Sequence, residues 1–127
     1  MLNLKGTILK ANDFTIKGSN VFVKKCKNKL GMLLIAADFC GHCHRFVDTF
    51  NEIYDIVGKD FCMTSIENEE LQKLPSLSKS LNFQGFPTIK FFNQSGQIIG
   101  EYNKERNKES ILQEICKVYH HCHTTKH

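Results

Sequence analysis

The chain has no tryptophan, only two prolines among 127 residues, and no long run of apolar side chains. Without tryptophan, the ten phenylalanines become the main core fillers. The longest apolar stretch, Met32 to Ala37, suits a buried strand and is far too short to cross a bilayer. The opening MLNLKGTILKAND likewise holds no apolar run of the length a signal peptide or membrane anchor needs. The expectation is a cytoplasmic chain that does not engage membranes, unless another route exports it. Charge of one sign is also missing in bulk: 17 basic and 13 acidic residues give a net charge of +4. The longest basic cluster, Lys24-Lys25 followed by Lys27 and Lys29, reads as the solvated face of a helix. It lacks the aromatic interleaving that a nucleic-acid surface would need.

What is present is the composition of an ordinary globular protein, 41% hydrophobic and 24% charged. No linker, repeat or low-complexity segment divides it, so residues 1–127 are expected to form a single domain. Its core should run from about 13 to 119, with a polar, histidine-rich tail over 120–127.

Residues 13–17 alternate weakly, as a strand would. Residues 20–28 read as a short amphipathic helix closed near Gly31. The apolar run MLLIAADF is a buried central strand. After it, Phe46, Phe50, Ile53 and Val57 recur at helical spacing, and Gly58 supplies a stop. Residues 60–66 read as a strand, and 67–81 as a helix bent or interrupted near Pro75. GFPTIKFF and QIIGEY, joined by NQSG, carry a hairpin signal. A last helix over 107–119 turns Ile111, Leu112, Ile115 and Val118 inward. The order β-α-β-α-β-α-β-β-α implies an α/β fold, a mixed sheet with helices on both faces.

The segment DFCGHCHRF places Cys40 and Cys43 three positions apart, where a buried strand turns into a helix. Such a pair can hold half a zinc site or shuttle between dithiol and disulfide. At a helix start, unpaired N–H groups and the helix dipole favour a thiolate at Cys40. Cys43 lies on the same helix face, placed to resolve a mixed disulfide. His42 between them would stabilise the thiolate further if protonated or hydrogen-bonding. Cys62 and Cys116 read as buried small hydrophobes, and Cys26 as partly exposed on its helix. In the tail, His120, His121, Cys122, His123 and His127 could ligate a metal ion, although chance histidines in a frayed tail are the plainer reading. No metal or other cofactor is expected.

From about Asp13 to Tyr119 the chain resembles the thioredoxin superfamily, most of all the catalytic domains of protein disulfide isomerases. Three features carry the resemblance. They are Cys40-Gly41-His42-Cys43 after a buried strand, Gly85-Phe86-Pro87-Thr88 before IKFF, and Glu101-Tyr102 with Arg106 beyond it. The resemblance implies a thioredoxin-like fold with a central mixed sheet. It also implies thiol–disulfide exchange with protein cysteines through Cys40 and Cys43. Gly41, His42 and Arg106 would tune the redox pair. Phe39, Phe86 and Pro87 would meet the substrate, with Pro87 in the family's cis-proline loop; a plain trans-proline opening a strand is the alternative. Partners would be protein thiols and disulfides, together with an oxidase or reductase that resets the pair.

Several positions depart from the family pattern. Leu34 stands where a buried carboxylate is usual, and Met63 where its lysine partner is usual, so the proton of Cys43 lacks its usual acceptor. Phe39 replaces a tryptophan, Asp38 a neutral residue, Asp48 a helix-kinking proline, and Glu105 a glycine beside Arg106. Three readings follow: a thiol–disulfide oxidoreductase, a thioredoxin-fold interaction module whose dithiol is vestigial, and a metal module joining Cys40 and Cys43 to the tail.

Overall fold

The computed structural model describes residues 2–122. Its framework is a five-stranded sheet in the order β1-β5-β4-β6-β7. Strands β1 (Thr7–Ile8), β5 (Cys62–Glu67) and β4 (Gly31–Ala36) run parallel; β6 (Thr88–Phe92) and β7 (Ile98–Tyr102) complete it antiparallel. Helices α1 (Gly41–Val57), α2 (Asn68–Gln72), α3 (Pro75–Leu81) and α4 (Lys108–Lys117) surround it. The mixed central sheet is as the sequence pattern implies.

All six residues of β4 are buried, and their alternation divides the core in two. Met32, Leu34 and Ala36 face one side, with Phe46, Phe50, Ile53 and Val57 of α1 and Ile111 and Ile115 of α4. Leu33 and Ile35 face the other, with Leu71 of α2 and Leu77 and Leu81 of α3. A strand covered on both faces has no reason to alternate polar and apolar side chains, which explains its continuous apolar sequence.

Residues 20–28 are not a helix. Strand β2 (Phe14–Lys17) pairs antiparallel with β3 (Asn20–Val23), and this hairpin lies against the second core. Val21 and Val23 point inward while Phe22 is half-exposed, a period of two that four residues are too few to declare. Cys26 follows the strand in a loop. It is buried rather than partly exposed, and it is bonded to Cys62, while Cys116 is bonded to Cys122. Neither Cys62 nor Cys116 is therefore the free small hydrophobe the sequence suggested.

The expected bend at Pro75 is a full break: α2 ends, and Pro75 opens α3 at a position where its missing N–H costs nothing. Helix α4 is capped by Asn107, whose side chain accepts the Ser110 amide at 2.8 Å. Ile111 and Ile115 are buried as expected, but Val118 lies beyond the helix and is exposed. Leu2, Leu4 and Leu9 are buried too, so core packing begins well before Asp13. Among the described residues, no helix is long and apolar enough to cross a membrane.

Candidate redox site

Strand β4 delivers its chain end to the surface, and a tight turn follows in which the Cys40 amide donates to the Ala37 carbonyl at 3.1 Å. Cys40 then caps α1. Its backbone is extended, and its sulfur accepts the Cys43 amide at 3.2 Å. A thiol is an unusual cap, since serine, threonine, aspartate and asparagine normally fill this position. Placing sulfur there directs an orphan N–H and the positive end of the helix at the atom that would carry negative charge.

Cys43 is one turn in and buried, with 1% of its surface exposed, whereas Cys40 is half-buried. Burial pushes the Cys43 thiol up to about 12, and the neighbouring Cys40 sulfur adds to this. Two influences act the other way: a hydrogen bond with the backbone of Ala37 and the positive charge of Arg106. Arg106 therefore comes near enough for its charge to act on this thiol, although β5, α2, α3, β6 and β7 lie between it and α1 in sequence.

The third contributor is the loop before β6. The Cys40 thiol donates to the Phe86 carbonyl at 3.5 Å, and the Phe86–Pro87 peptide bond is cis. Thr88 steadies the loop by donating its hydroxyl to the Gly85 carbonyl at 2.6 Å. Phe39 is 75% exposed and meets Phe86 edge to face, with ring centroids 5.8 Å apart. Phe83 also meets Phe86, with ring centroids 5.5 Å apart. Phe39 and Phe83 thus flank the ring of the residue whose carbonyl meets the sulfur of Cys40. On the far side of Pro87 lies a small, mostly polar cleft of about 230 Å³ whose lining includes Glu101, Lys104 and Arg106.

His42 is exposed at the helix surface, and its Nδ1 accepts from Arg45 at 2.8 Å. His44 donates from Nε2 to the Asp38 carbonyl at 2.6 Å, fastening the turn ahead of the helix to its first turn. At Gly41, an added Cβ would meet only Arg45 Nη1 at 3.6 Å, an ordinary contact. Sterics alone therefore do not require glycine there.

A family model described as Thioredoxin matches residues 13–117. The chain belongs to the thioredoxin family. A protein disulfide-isomerase of Datisca glomerata is 27% identical over 107 residues, covering 81% of this chain and 21% of that protein. One from Medicago sativa is 31% identical over 85 residues, covering 64% of this chain and 16% of that protein. This thioredoxin-family chain therefore spans about a fifth or less of the length of these curated relatives. Among solved structures, the Trx4 domain of ERdj5 superposes with a TM-score of 0.69 at 16% identity, covering 91% of this chain and 96% of that one. Human ERp44 form I gives 0.68 at 15% identity, covering 91% and 29%. At such identities the likeness shows the shared fold.

Three contacts of this site are not legible in the sequence reading. Arg45 sits three positions after His42, a helical neighbour spacing that was available as a signal. Asp38 offers its backbone carbonyl to His44, which no side-chain pattern announces. Phe83 reaches Phe86 only because the loop folds back. In the tail, Cys122 is consumed by its disulfide, and the ring of His121 pairs with Asp60 at 3.2 Å. The other tail histidines named for metal binding include His123 and His127, which lie outside the described residues. Among the described residues, no cluster of side chains is arranged to hold a metal ion.

Proposed function

We propose that this domain exchanges disulfides with protein cysteines through Cys40 and Cys43. The observation that carries the reading is the Cys40 sulfur, which caps α1, accepts the Cys43 amide at 3.2 Å and lies beside the Phe86 carbonyl. In the reductive direction, the Cys40 thiolate attacks one sulfur of a substrate disulfide. A mixed disulfide forms, and the other substrate sulfur leaves as a thiolate. Cys43 then loses its proton and attacks the Cys40 sulfur. The mixed disulfide breaks, the second substrate thiolate leaves, and Cys40–Cys43 becomes the disulfide. The substrate gains two electrons and the domain loses two. The reverse sequence oxidises a substrate dithiol.

Each side chain has a part in this proposal. Phe39 and Phe86 offer apolar contact to the polypeptide around the substrate sulfur. The loop at Pro87 presents backbone to it. Arg106 favours loss of the Cys43 proton, and Gly41 and His42, between the two cysteines in sequence, tune the redox pair. An oxidase or reductase partner resets the pair after each turnover. An insulin-reduction or RNase-refolding assay tests this directly: activity should be lost in Cys40→Ser. Equal activity in that variant sinks the proposal.

A second reading, a thioredoxin-fold interaction module with a weak or vestigial dithiol, gains from one observation. Leu34 and Met63, both fully buried, share the core of Cys43 and provide no proton acceptor. A folded wild-type chain that binds unfolded polypeptide without turning over disulfides would favour it.

The compartment belongs to the same proposal. The cytoplasmic expectation rested on the apolar content of the chain's opening. The Cys26–Cys62 and Cys116–Cys122 bridges favour an oxidising compartment, because cytosolic thiol buffers oppose structural disulfides. Alkylation at the moment of cell lysis would discriminate: protected Cys26, Cys62, Cys116 and Cys122 support the oxidising compartment, and their labelling supports the cytosol.

A further inference from the structure

The end of the sheet opposite the redox pair carries a second concave site. β4 begins at Gly31, beside Cys62, and ends at Ala36, next to the turn into Cys40. The two ends of this strand are about 17–20 Å apart. At the Gly31 end, a cleft of about 450 Å³ opens between the β2–β3 hairpin, the loop that follows it and the β6–β7 turn. That volume lies within the usual range of small-molecule sites, about 300–1,000 Å³.

Its floor is the outer face of the hairpin. Thr15 pairs with Phe22 across the strands, and Lys17 lies two residues along with its ammonium 5.4 Å from the Phe22 ring centre. The loop adds Lys24, Lys27 and Asn28, and the opposite wall is formed by Gln94 and Ser95. The two walls are fastened together: Val23 donates its amide to the Gly96 carbonyl at 2.8 Å. Gly96 has φ +88°, and an added Cβ would sit 2.2 Å from the Val23 carbonyl oxygen, so the turn closes on the hairpin only with glycine.

The charge of this cleft is one-sided. Lys17, Lys24 and Lys27 are exposed, and no carboxylate lines the site. Lys25 points to Asp13 instead, at 3.9 Å. Among the described residues, no carboxylate forms an ion pair with Lys17, Lys24 or Lys27. Three ammonium groups around a concavity repel one another and raise its positive potential, which a multivalent anion relieves. Lysine suits phosphate as a point charge, and the neutral donors of Thr15, Asn28 and Gln94 can complete the oxygen contacts.

Cys26 stands between Lys24 and Lys27 and is tied to Cys62 on β5. The loop therefore cannot swing outward to relieve the repulsion. We propose that this cleft binds a small molecule carrying a diphosphate or comparably dense negative charge, and that the Cys26–Cys62 disulfide holds the loop in its binding shape. The site is separate from the redox pair, and its occupancy would fall when the disulfide opens.

The test uses inorganic pyrophosphate, titrated into the oxidised full chain at constant ionic strength and followed by amide NMR shifts. Saturable shifts are expected at Lys24, Asn28 and Ser95, with Cys40 and Cys43 unmoved. Lys24→Glu/Lys27→Glu should weaken binding at least about tenfold, as loss of charge-assisted hydrogen bonds would. Lys17→Glu, on the strand outside the disulfide loop, should weaken it as well. Cys26→Ala/Cys62→Ala should weaken binding at least about threefold, a smaller effect because the charges remain. Should that variant fail to fold, wild type with its Cys26–Cys62 bond opened by graded reductant provides the same comparison. Shifts scattered over all surface lysines, unchanged affinity after charge reversal, or unchanged affinity without the disulfide would each overturn the proposal.

Discussion

Leu34 and Met63 lie diagonally across two parallel strands: Leu34 pairs with Ser65, and Met63 with Met32. Both belong to the core that holds Cys43. Restoring the family's ion pair here should change kinetics. Leu34→Glu alone buries an unpaired carboxylate and is expected to cost roughly 2–4 kcal/mol, with the acid held protonated. Leu34→Glu/Met63→Lys should fold with a smaller penalty and reduce insulin disulfides about tenfold faster than wild type at neutral pH, the order expected of general base assistance. Slower or equal turnover in the folded double variant would mean that another group already takes the Cys43 proton.

Arg106 opposes the burial that raises the Cys43 thiol. Removing its charge leaves only the Ala37 backbone hydrogen bond to oppose that burial, so the pKa of Cys43 rises further. Arg106→Gln should lower turnover at pH 7 by about threefold to tenfold and shift the rising limb of the pH–rate profile to higher pH. A profile that keeps its midpoint, with only its height reduced, would assign Arg106 a purely structural part.

The same burial predicts how stability depends on pH in the reduced protein. The Cys43 thiol sits at about 12 in the fold against an ordinary 9.0, so the unfolded chain loses that proton first as pH rises. The contribution is full below about pH 9 and is lost as pH climbs towards 12. Tyr102 and Tyr119, both raised by burial, act in the same direction at alkaline pH. Denaturant melts should therefore show stability falling above pH 9, with a shallower fall in Cys43→Ala. Identical slopes in the two proteins would refute the assignment to Cys43.

The two disulfides should differ in what they contribute. Cys26–Cys62 closes a loop of sequence separation 36, so its removal as Cys26→Ala/Cys62→Ala is expected to cost about 3–4 kcal/mol by chain entropy. Cys116–Cys122 closes a separation of only 6, from the last turn of α4 to the segment that follows it. Its removal should cost about 2 kcal/mol or less, because a short loop restrains little. Thermal melts of the two double variants check the order, and a reversed order would contradict it.

Much of the site could be read from the chain because its parts are local. A cysteine at a strand-to-helix boundary caps the helix by accepting the amide three residues later, and the repeat of Phe46, Phe50, Ile53 and Val57 declares that helix. The continuous apolar run of β4, the hairpin of β6 and β7 and the Gly-Phe-Pro-Thr loop are likewise short-range patterns. The failures have physical causes too. β1 has two residues, too few for any period, and exists through its pairing with β5. β3 reads as a helix in sequence because four residues of alternation, followed by lysines, fit either period.

Tertiary structure decided what depends on chain closure. Cys26 and Cys62 are separated by a helix and a strand, and only the packed sheet makes them partners. The proximity of Arg106 to Cys43, of the Phe86 carbonyl to Cys40 and of three lysines around one cleft also arises from folding back, which no local spacing encodes. Sequence fixes which residues can bear the chemistry through backbone period and side-chain type. The fold sets their distances, because close-packed burial allows one arrangement of the distant segments.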